Sequence, residues 1–384
     1  MRQEGNLIVH DISQGTPEWH AFRENGIGGS EVGILCADNK ETYKCQAQLF
    51  YEKLGLFESG FTGNEKTFWG QIHESNVALV WQYWDWATNS YCENFNAGNV
   101  MRRCFRRNGY AQNVKYPWLF ASLDRMIKNG SHDYSGAVLP NGGILEIKTM
   151  GKWMKQKWES VPTPHLFQVH QYMLIFGKEY AEIAVLVDGS EFMVYPVEFN
   201  EYTAEDLLDR SYKFWHKRIE PCKVLVEELK HLKANKGSKE QQEKILAEIA
   251  RYEPEVENTK AYADFINQRY EKEIDSTPAP IGYIEFARVD KVARELKKKV
   301  EEFARGHGNA LRKHHEELKA ERIELKEDGY DLGYTRMYVK KGQKNPTLDN
   351  KCTADVSEAA LNKIITNIGD NIADAWAEGS LFLT

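Results

Sequence analysis

The residues best placed to do chemistry are Asp124 and the run Leu145-Glu146-Ile147-Lys148. In a strand, side chains alternate between faces, so Glu146 and Lys148 share one face while Leu145 and Ile147 share the other. Two carboxylates on neighbouring strands can grip a hard divalent cation, which prefers oxygen ligands, and the Ile147 carbonyl could add a further oxygen. A lysine two residues after Glu146 can orient an attacking water or neutralise charge on a phosphate. These are the needs of phosphodiester hydrolysis: a polarised phosphate, an activated water and a neutralised leaving oxygen. By itself E-x-K is common and reads equally as a Glu–Lys pair on an exposed edge strand.

Two flanking clusters add weight. Gln168-Val169-His170-Gln171-Tyr172 falls on an expected helix, where Gln168 and Tyr172, four apart, share a face and can point at one ligand. Upstream, Gly70-Gln71-Ile72-His73-Glu74 falls on another, where Gly70 allows close packing or DNA approach and Glu74 offers a third carboxylate. Each alone is also an ordinary packed helix. Their order carries more: carboxylate helix, Asp strand, E-x-K strand, Q-x-x-x-Y helix.

The elements that must position these groups follow from periodicity and punctuation. Gly28 and Gly29 form a flexible lead into a helix from Ser30 to about Cys36; a second helix spans 42–54 and a third 68–86. Strands are expected at 100–107, 119–127, 144–149, 182–188 and 192–197, with a helix begun by Pro164 and closed by Gly177. This predicts an α/β domain with a mixed central sheet flanked by helices over 1–220. Residues 221–384 carry 58 charged side chains against 49 in the longer first part, the mark of solvated helices. Helices are expected near 203–219, 222–235, 238–251, 255–272, 287–326 and 356–377, with a short strand or hairpin near 334–340.

Composition bounds the rest. In 384 residues, 42% are hydrophobic and 12% aromatic, enough for a real core. Six scattered cysteines without a C-x-x-C pair fit reduced thiols. No apolar run reaches membrane-spanning length, and the first residues lack a secretory pattern, so a cytoplasmic location is expected. No G-x-x-x-x-G-K-[ST] loop is present, so no ATP use is expected. The net charge of −7 argues against coating DNA unspecifically, but bound cations can reverse the field of an acidic site.

The ordered motifs resemble the lambda-type phage exonucleases (YqaJ-type viral recombinases) of the PD-(D/E)XK nuclease superfamily. The likeness covers roughly residues 13–200. It rests on Gln14-Gly15-Thr16-Pro17-Glu18-Trp19-His20 with Arg23, on Gly28-Gly29-Ser30-Glu31-Val32, and on Gly70-x-x-x-Glu74. It continues through Ala121-Ser122-Leu123-Asp124, Leu145-Glu146-Ile147-Lys148 and Gln168-Val169-His170. The resemblance implies the PD-(D/E)XK fold and a helical C-terminal extension. It also implies a Mg²⁺-dependent exonuclease (Mn²⁺ substituting) that digests double-stranded DNA from its ends, 5′-to-3′. Such an enzyme releases 5′-phosphomononucleotides and leaves 3′ single-stranded overhangs for phage-type recombination. Asp124, Glu146 and the Ile147 carbonyl would hold the metal, Lys148 would help activate water, Gln168 would complete the catalytic set, and Glu74 would hold or orient a second metal. Arg23, Ser30 and Ser122 would receive the terminal 5′-phosphate. Similar enzymes form ring-shaped homo-oligomers and work beside a single-strand annealing protein.

There are departures. His170 stands where a second glutamine is common, Leu123 where a proline often precedes the metal-binding Asp, and His73 where RecB-type nucleases use a metal-binding histidine. Gln168 with Tyr172 fits the RecB-type pattern, so the alternatives are a RecB-like nuclease on single strands or a non-catalytic scaffold that binds DNA ends. With only Cys222 and Cys352 downstream of the core, no iron–sulfur cluster is expected. Four arginines at 102–107 could contact DNA or guard a sheet edge. Trp153 and Trp158 could stack on bases or pack in the core, and His314 and His315 are expected on a solvated face.

Overall fold

A computed structural model describes residues 2–12, 16–36, 42–58, 63–85, 90–91, 102–156, 158, 160–269, 283–319, 321–327, 330–338 and 347–352. The chain forms two compact units, Met1–Glu271 and Lys272–Thr384.

The first unit opens with β1 (Arg2–Glu4) and β2 (Leu7–His10), then α1 (Pro17–Arg23), β3 (Ile27–Gly28) and α2 (Gly29–Cys36). Helix α1 starts where Thr16 accepts the Trp19 N–H and Pro17, lacking an N–H, takes the first turn. The next helices are α3 (Gln46–Lys53) and α4 (Glu65–Tyr83); the latter begins three residues before the expected start because Asn64 and Thr67 cap each other. A short pair, β4 (Trp84–Asp85) and β5 (Ser90–Tyr91), follows. Then come β6 (Cys104–Phe105), β7 (Tyr110–Asn113), β8 (Tyr116–Ala121), β9 (Arg125–Ile127), the hairpin β10 (Ser131–His132) and β11 (Val138–Leu139), and β12 (Gly143–Met150). The single strand expected over 119–127 is in fact two. Through Ser122–Asp124 the chain leaves one sheet and joins another, a change of partner that a continuous apolar run does not reveal.

After β12 come α5 (Lys152–Lys155), α6 (Thr163–Phe176), β13 (Tyr180–Val187) and β14 (Glu191–Glu198). Helix α6 stops at Gly177, whose φ of 60° suits glycine. The first sheet has the order β1-β2-β7-β8-β3, and the second β14-β13-β12-β9-β6. In the second sheet β12 and β13 run parallel with α6 as the crossover, while β9 and β14 run antiparallel to their neighbours. The sheet is therefore mixed and buried on both faces. On one side Ile144, Ala181, Ile183 and Val185 join the main core with Val169 and Met173 of α6. On the other, Leu145, Ile147 and Ala184 pack with Val77, Ala78 and Trp81 of α4. The alternation expected for Leu145–Lys148 is the one observed.

Helices α7 (Glu201–Phe214), α8 (Glu220–Ala234), α9 (Lys239–Ala250) and α10 (Lys260–Arg269) complete this unit, with one wider turn at Trp215–Ile219 between α7 and α8. Leu229, Ile245, Ile249 and Phe265 enter the main core. The division expected near 220 thus falls within a helical run whose apolar face belongs to the first unit.

In the second unit α11 (Tyr283–Leu318) precedes a three-stranded antiparallel sheet of β15 (Arg322–Glu327), β16 (Tyr330–Tyr338) and β17 (Thr347–Cys352). The expected 287–326 helix ends earlier because its tail is a strand, and the expected hairpin has a third member. His315 is buried and bonds Thr335 Oγ1 at 3.0 Å, while His314 stays exposed beside Glu317, so only one of this adjacent pair faces solvent as expected. The helix expected near 356–377 lies outside the described residues. Among the described residues no helix is long and apolar enough to cross a membrane.

Candidate active site

Asp124 sits just before β9, where the chain passes between sheets. Its neighbour Arg125 is the first residue of β9 and pairs with Leu145 of β12. Beyond that point the Ile147 N–H meets no strand partner and donates instead to Asp124 Oδ2 at 2.8 Å. The start of β9 thus brings Asp124 against the middle of β12, beside Glu146.

Glu146 is 3% exposed and faces α6. Its Oε1 accepts from Lys148 Nζ at 2.6 Å and from Gln168 Nε2 at 2.7 Å. Its buried Oε2 has no hydrogen-bond partner. Gln168 Nε2 also donates to Tyr172 Oη at 3.0 Å, and Lys148 Nζ donates to Gln168 Oε1 at 3.2 Å. The structure thus brings Asp124, Glu146, Lys148, Gln168 and Tyr172 into one group.

Electrostatics within the group are uneven. Burial, reinforced by the Glu146 charge and opposed by Lys148, pushes Asp124 up to about 8. Burial alone would pull Lys148 down, yet Glu146 and Asp124 outweigh it and hold the ammonium above its ordinary range. An acidic pair sharing too little positive charge, with one oxygen left bare, fits a divalent cation. Among the described residues no three of His, Cys, Asp and Glu form a ready metal cage. Mg²⁺ needs less, since one or two carboxylates suffice when water and substrate phosphate complete the shell.

Other expected participants are placed differently. Glu74 Oε1 pairs with Arg125 Nη1, close enough to Asp124 to raise it, but already matched by a cation. His73 stacks on Trp69, ring centroids 5.7 Å apart. Arg23 pairs with Glu31, whose other oxygen takes Lys53 Nζ at 2.7 Å and the Gly28 N–H at 2.8 Å. Ser30 and Ser122 are exposed, and each follows a strand of the parallel pair β3–β8, so both leave at the same end. His170 is structural: its Nδ1 donates to the Leu166 carbonyl at 2.8 Å and Nε2 accepts the Asn200 N–H at 3.2 Å. Gln171 ties β3 to β8 through the Ile27 and Phe120 carbonyls, each at 2.9 Å.

Gly28 and Gly29 serve tight packing rather than flexibility. A Cβ on Gly29 would lie 2.6 Å from the Tyr172 hydroxyl oxygen. At Gly70 a Cβ would meet only an ordinary contact with Thr149. Of the four arginines at 102–107, Arg102 is buried with Glu182, and Arg107 pairs with Glu4. Trp158 packs in the core, and Trp153 is 66% exposed.

Two residues join the site without a motif to announce them. Arg125 lies between Glu74 and Asp124. His165, half-buried one turn before Gln168, lies tilted against Trp158 with ring centroids 5.2 Å apart and feels the Lys148 charge. A histidine three residues before a site glutamine on a helix was the available signal for the latter.

Comparison with known proteins finds one matching family. Residues 18–179 match the YqaJ-like viral recombinase domain. The YqaJ-like segment includes Arg23, Ser30, Glu74, Ser122, Asp124, Glu146, Lys148, Gln168 and Tyr172. Its mixed sheet is flanked by helices as expected, with Asp124 just ahead of β9 and Glu146 on β12. The uncharacterised protein YqaJ of Bacillus subtilis (strain 168) is 26% identical over 221 residues, 56% of this chain and 60% of that protein. The chain therefore spans less than two thirds of that relative's length.

Among solved structures, the alkaline exonuclease LHK-Exo from Laribacter hongkongensis is 15% identical, with a TM-score of 0.40 over 57% of this chain and 99% of that one. A phage-related exonuclease from Haemophilus somnus 129PT is 10% identical, with a TM-score of 0.29 over 52% and 96%.

Proposed function

We propose that this chain is a metal-dependent exonuclease that digests double-stranded DNA from its 5′ ends, releasing 5′-mononucleotides and leaving 3′ overhangs for recombination. The observation that carries the hydrolytic reading is the buried, unpartnered Oε2 of Glu146 beside Asp124, with Lys148 one hydrogen bond away. Polarity, end dependence, a ring-shaped homo-oligomer and an annealing partner rest on the family resemblance.

Asp124 and Glu146, with the Ile147 carbonyl, would hold Mg²⁺ or Mn²⁺. When bound, such an ion polarises the phosphate and makes its water more acidic. Lys148 stays an ammonium at neutral pH, so it donates hydrogen bonds to a phosphate oxygen or to the attacking water and does not act as the base. Gln168 holds Glu146 and Lys148 in register with Tyr172 behind it. The Asp124 proton has to leave for the carboxylate to ligate.

Arg23, Ser30 and Ser122 are proposed to receive the 5′-phosphate. In support, Arg23, Lys53 and Glu31 leave one positive charge over, and Tyr43 lies near enough to both Arg23 and Lys148 to affect each. The hydrogen bond between Gln168 and Tyr172 favours a second reading, a RecB-like nuclease on single strands.

The test is digestion of linear duplexes with 5′-phosphate or 5′-hydroxyl ends, beside a closed circle and a single strand, in Mg²⁺. Faster loss of the phosphorylated duplex is expected. Equal nicking of the circle would make the protein an endonuclease, and preference for the single strand would favour the second reading.

A further inference from the structure

Glu74 would be the natural third carboxylate of a two-cation site, yet its charge is already answered. Arg125 Nη1 pairs with Glu74 Oε1 and donates to the Asp124 carbonyl at 2.6 Å, while Nη2 donates to Ser75 Oγ at 3.3 Å. The arginine is fixed at its base by the pairing of Arg125 with Leu145, and its side chain is 8% exposed. A guanidinium cannot lose its proton at working pH, so this cation is permanent.

Resting on the nuclease reading above, we infer that Arg125 takes the place of a second metal. It neutralises Glu74 and leaves the site to bind a single divalent ion between Asp124 and Glu146. The charge count agrees. With Asp124 ionised as a ligand, three carboxylates against Lys148 and Arg125 leave one negative charge, and one divalent ion turns this into one positive charge, matching a phosphodiester. A second ion would leave a large uncompensated positive charge in a buried site, which low polarity makes costly.

The test is Mn²⁺ titration of the full chain, reading free ion by electron paramagnetic resonance. One ion per chain is expected in the wild type. Glu74→Gln should keep one ion with affinity changed less than about threefold, whereas Asp124→Asn should weaken it beyond the ~10–100-fold that a merely supporting residue costs. Arg125→Met should admit a second ion, and adding Glu74→Gln should return the count to one. Two ions in the wild type, falling to one in Glu74→Gln, would overturn the inference while leaving the nuclease reading intact. No ion in the wild type would overturn both. Should Arg125→Met fail to fold, the wild type and Glu74→Gln alone decide.

Discussion

The two oxygens of Glu146 face different demands: Oε1 is shared by Lys148 and Gln168, and Oε2 has no hydrogen-bond partner. Gln168 should therefore matter through Glu146. Gln168→Ala is expected to weaken Mn²⁺ binding and slow digestion by about 10–100-fold while the protein stays folded; unchanged Mn²⁺ affinity would remove its supporting role. His165 gives a pH signature. Burial, helped by Lys148, pulls it from 6.5 to about 3, so the folded state keeps it neutral while the unfolded state protonates it below 6.5. Its effect on stability is absent above 6.5 and becomes more destabilising as pH falls from there toward 3. Urea midpoints at pH 7.5 and 5 should separate less in His165→Gln than in the wild type. At this scale Asp124, Glu146 and Lys148 were legible because strand alternation and residue chemistry are local. The pairing of Arg125 with Glu74 was not, because it joins residues fifty-one apart, one on a helix and one on a strand.

Between elements, the site depends on how closely α2 approaches α6. Gly29→Ala would drive a methyl into the Tyr172 ring, and overpacking of this kind costs about 1–3 kcal/mol. A lower melting temperature is expected, relieved in part by Tyr172→Leu. On the opposite face of the sheet, buried Glu182 accepts from Trp81 Nε1 at 2.6 Å, Tyr180 Oη at 2.7 Å and Arg102, tying α4 to β13. Glu182→Gln removes the counter-charge of Arg102, and breaking such a buried pair costs about 3–5 kcal/mol; urea unfolding would measure it. Helix ends were legible at Gly177 and Pro164, where backbone chemistry punctuates the chain. The break at Ser122–Asp124 was not, because both strands are apolar and only their partners differ.

At the scale of the molecule, the first compact unit reaches residue 271 because α8 to α10 bury Leu229, Ile249 and Phe265 in the main core. Charge density drew the expected boundary at 220, since these helices are charged on their outer faces and apolar within. We expect a chain ending at 271 to melt cooperatively and one ending at 220 to lose that transition, its core face exposed. Equal melting of both would place the boundary earlier.

The most direct test of the central claim is the rate at which wild-type and Asp124→Ala protein, both checked for native melting, shorten a 5′-phosphorylated linear duplex in Mg²⁺. The acidic pair predicts loss of nearly all activity in the variant, as for any reaction that runs through that carboxylate. Digestion at the wild-type rate by folded Asp124→Ala protein would contradict the account.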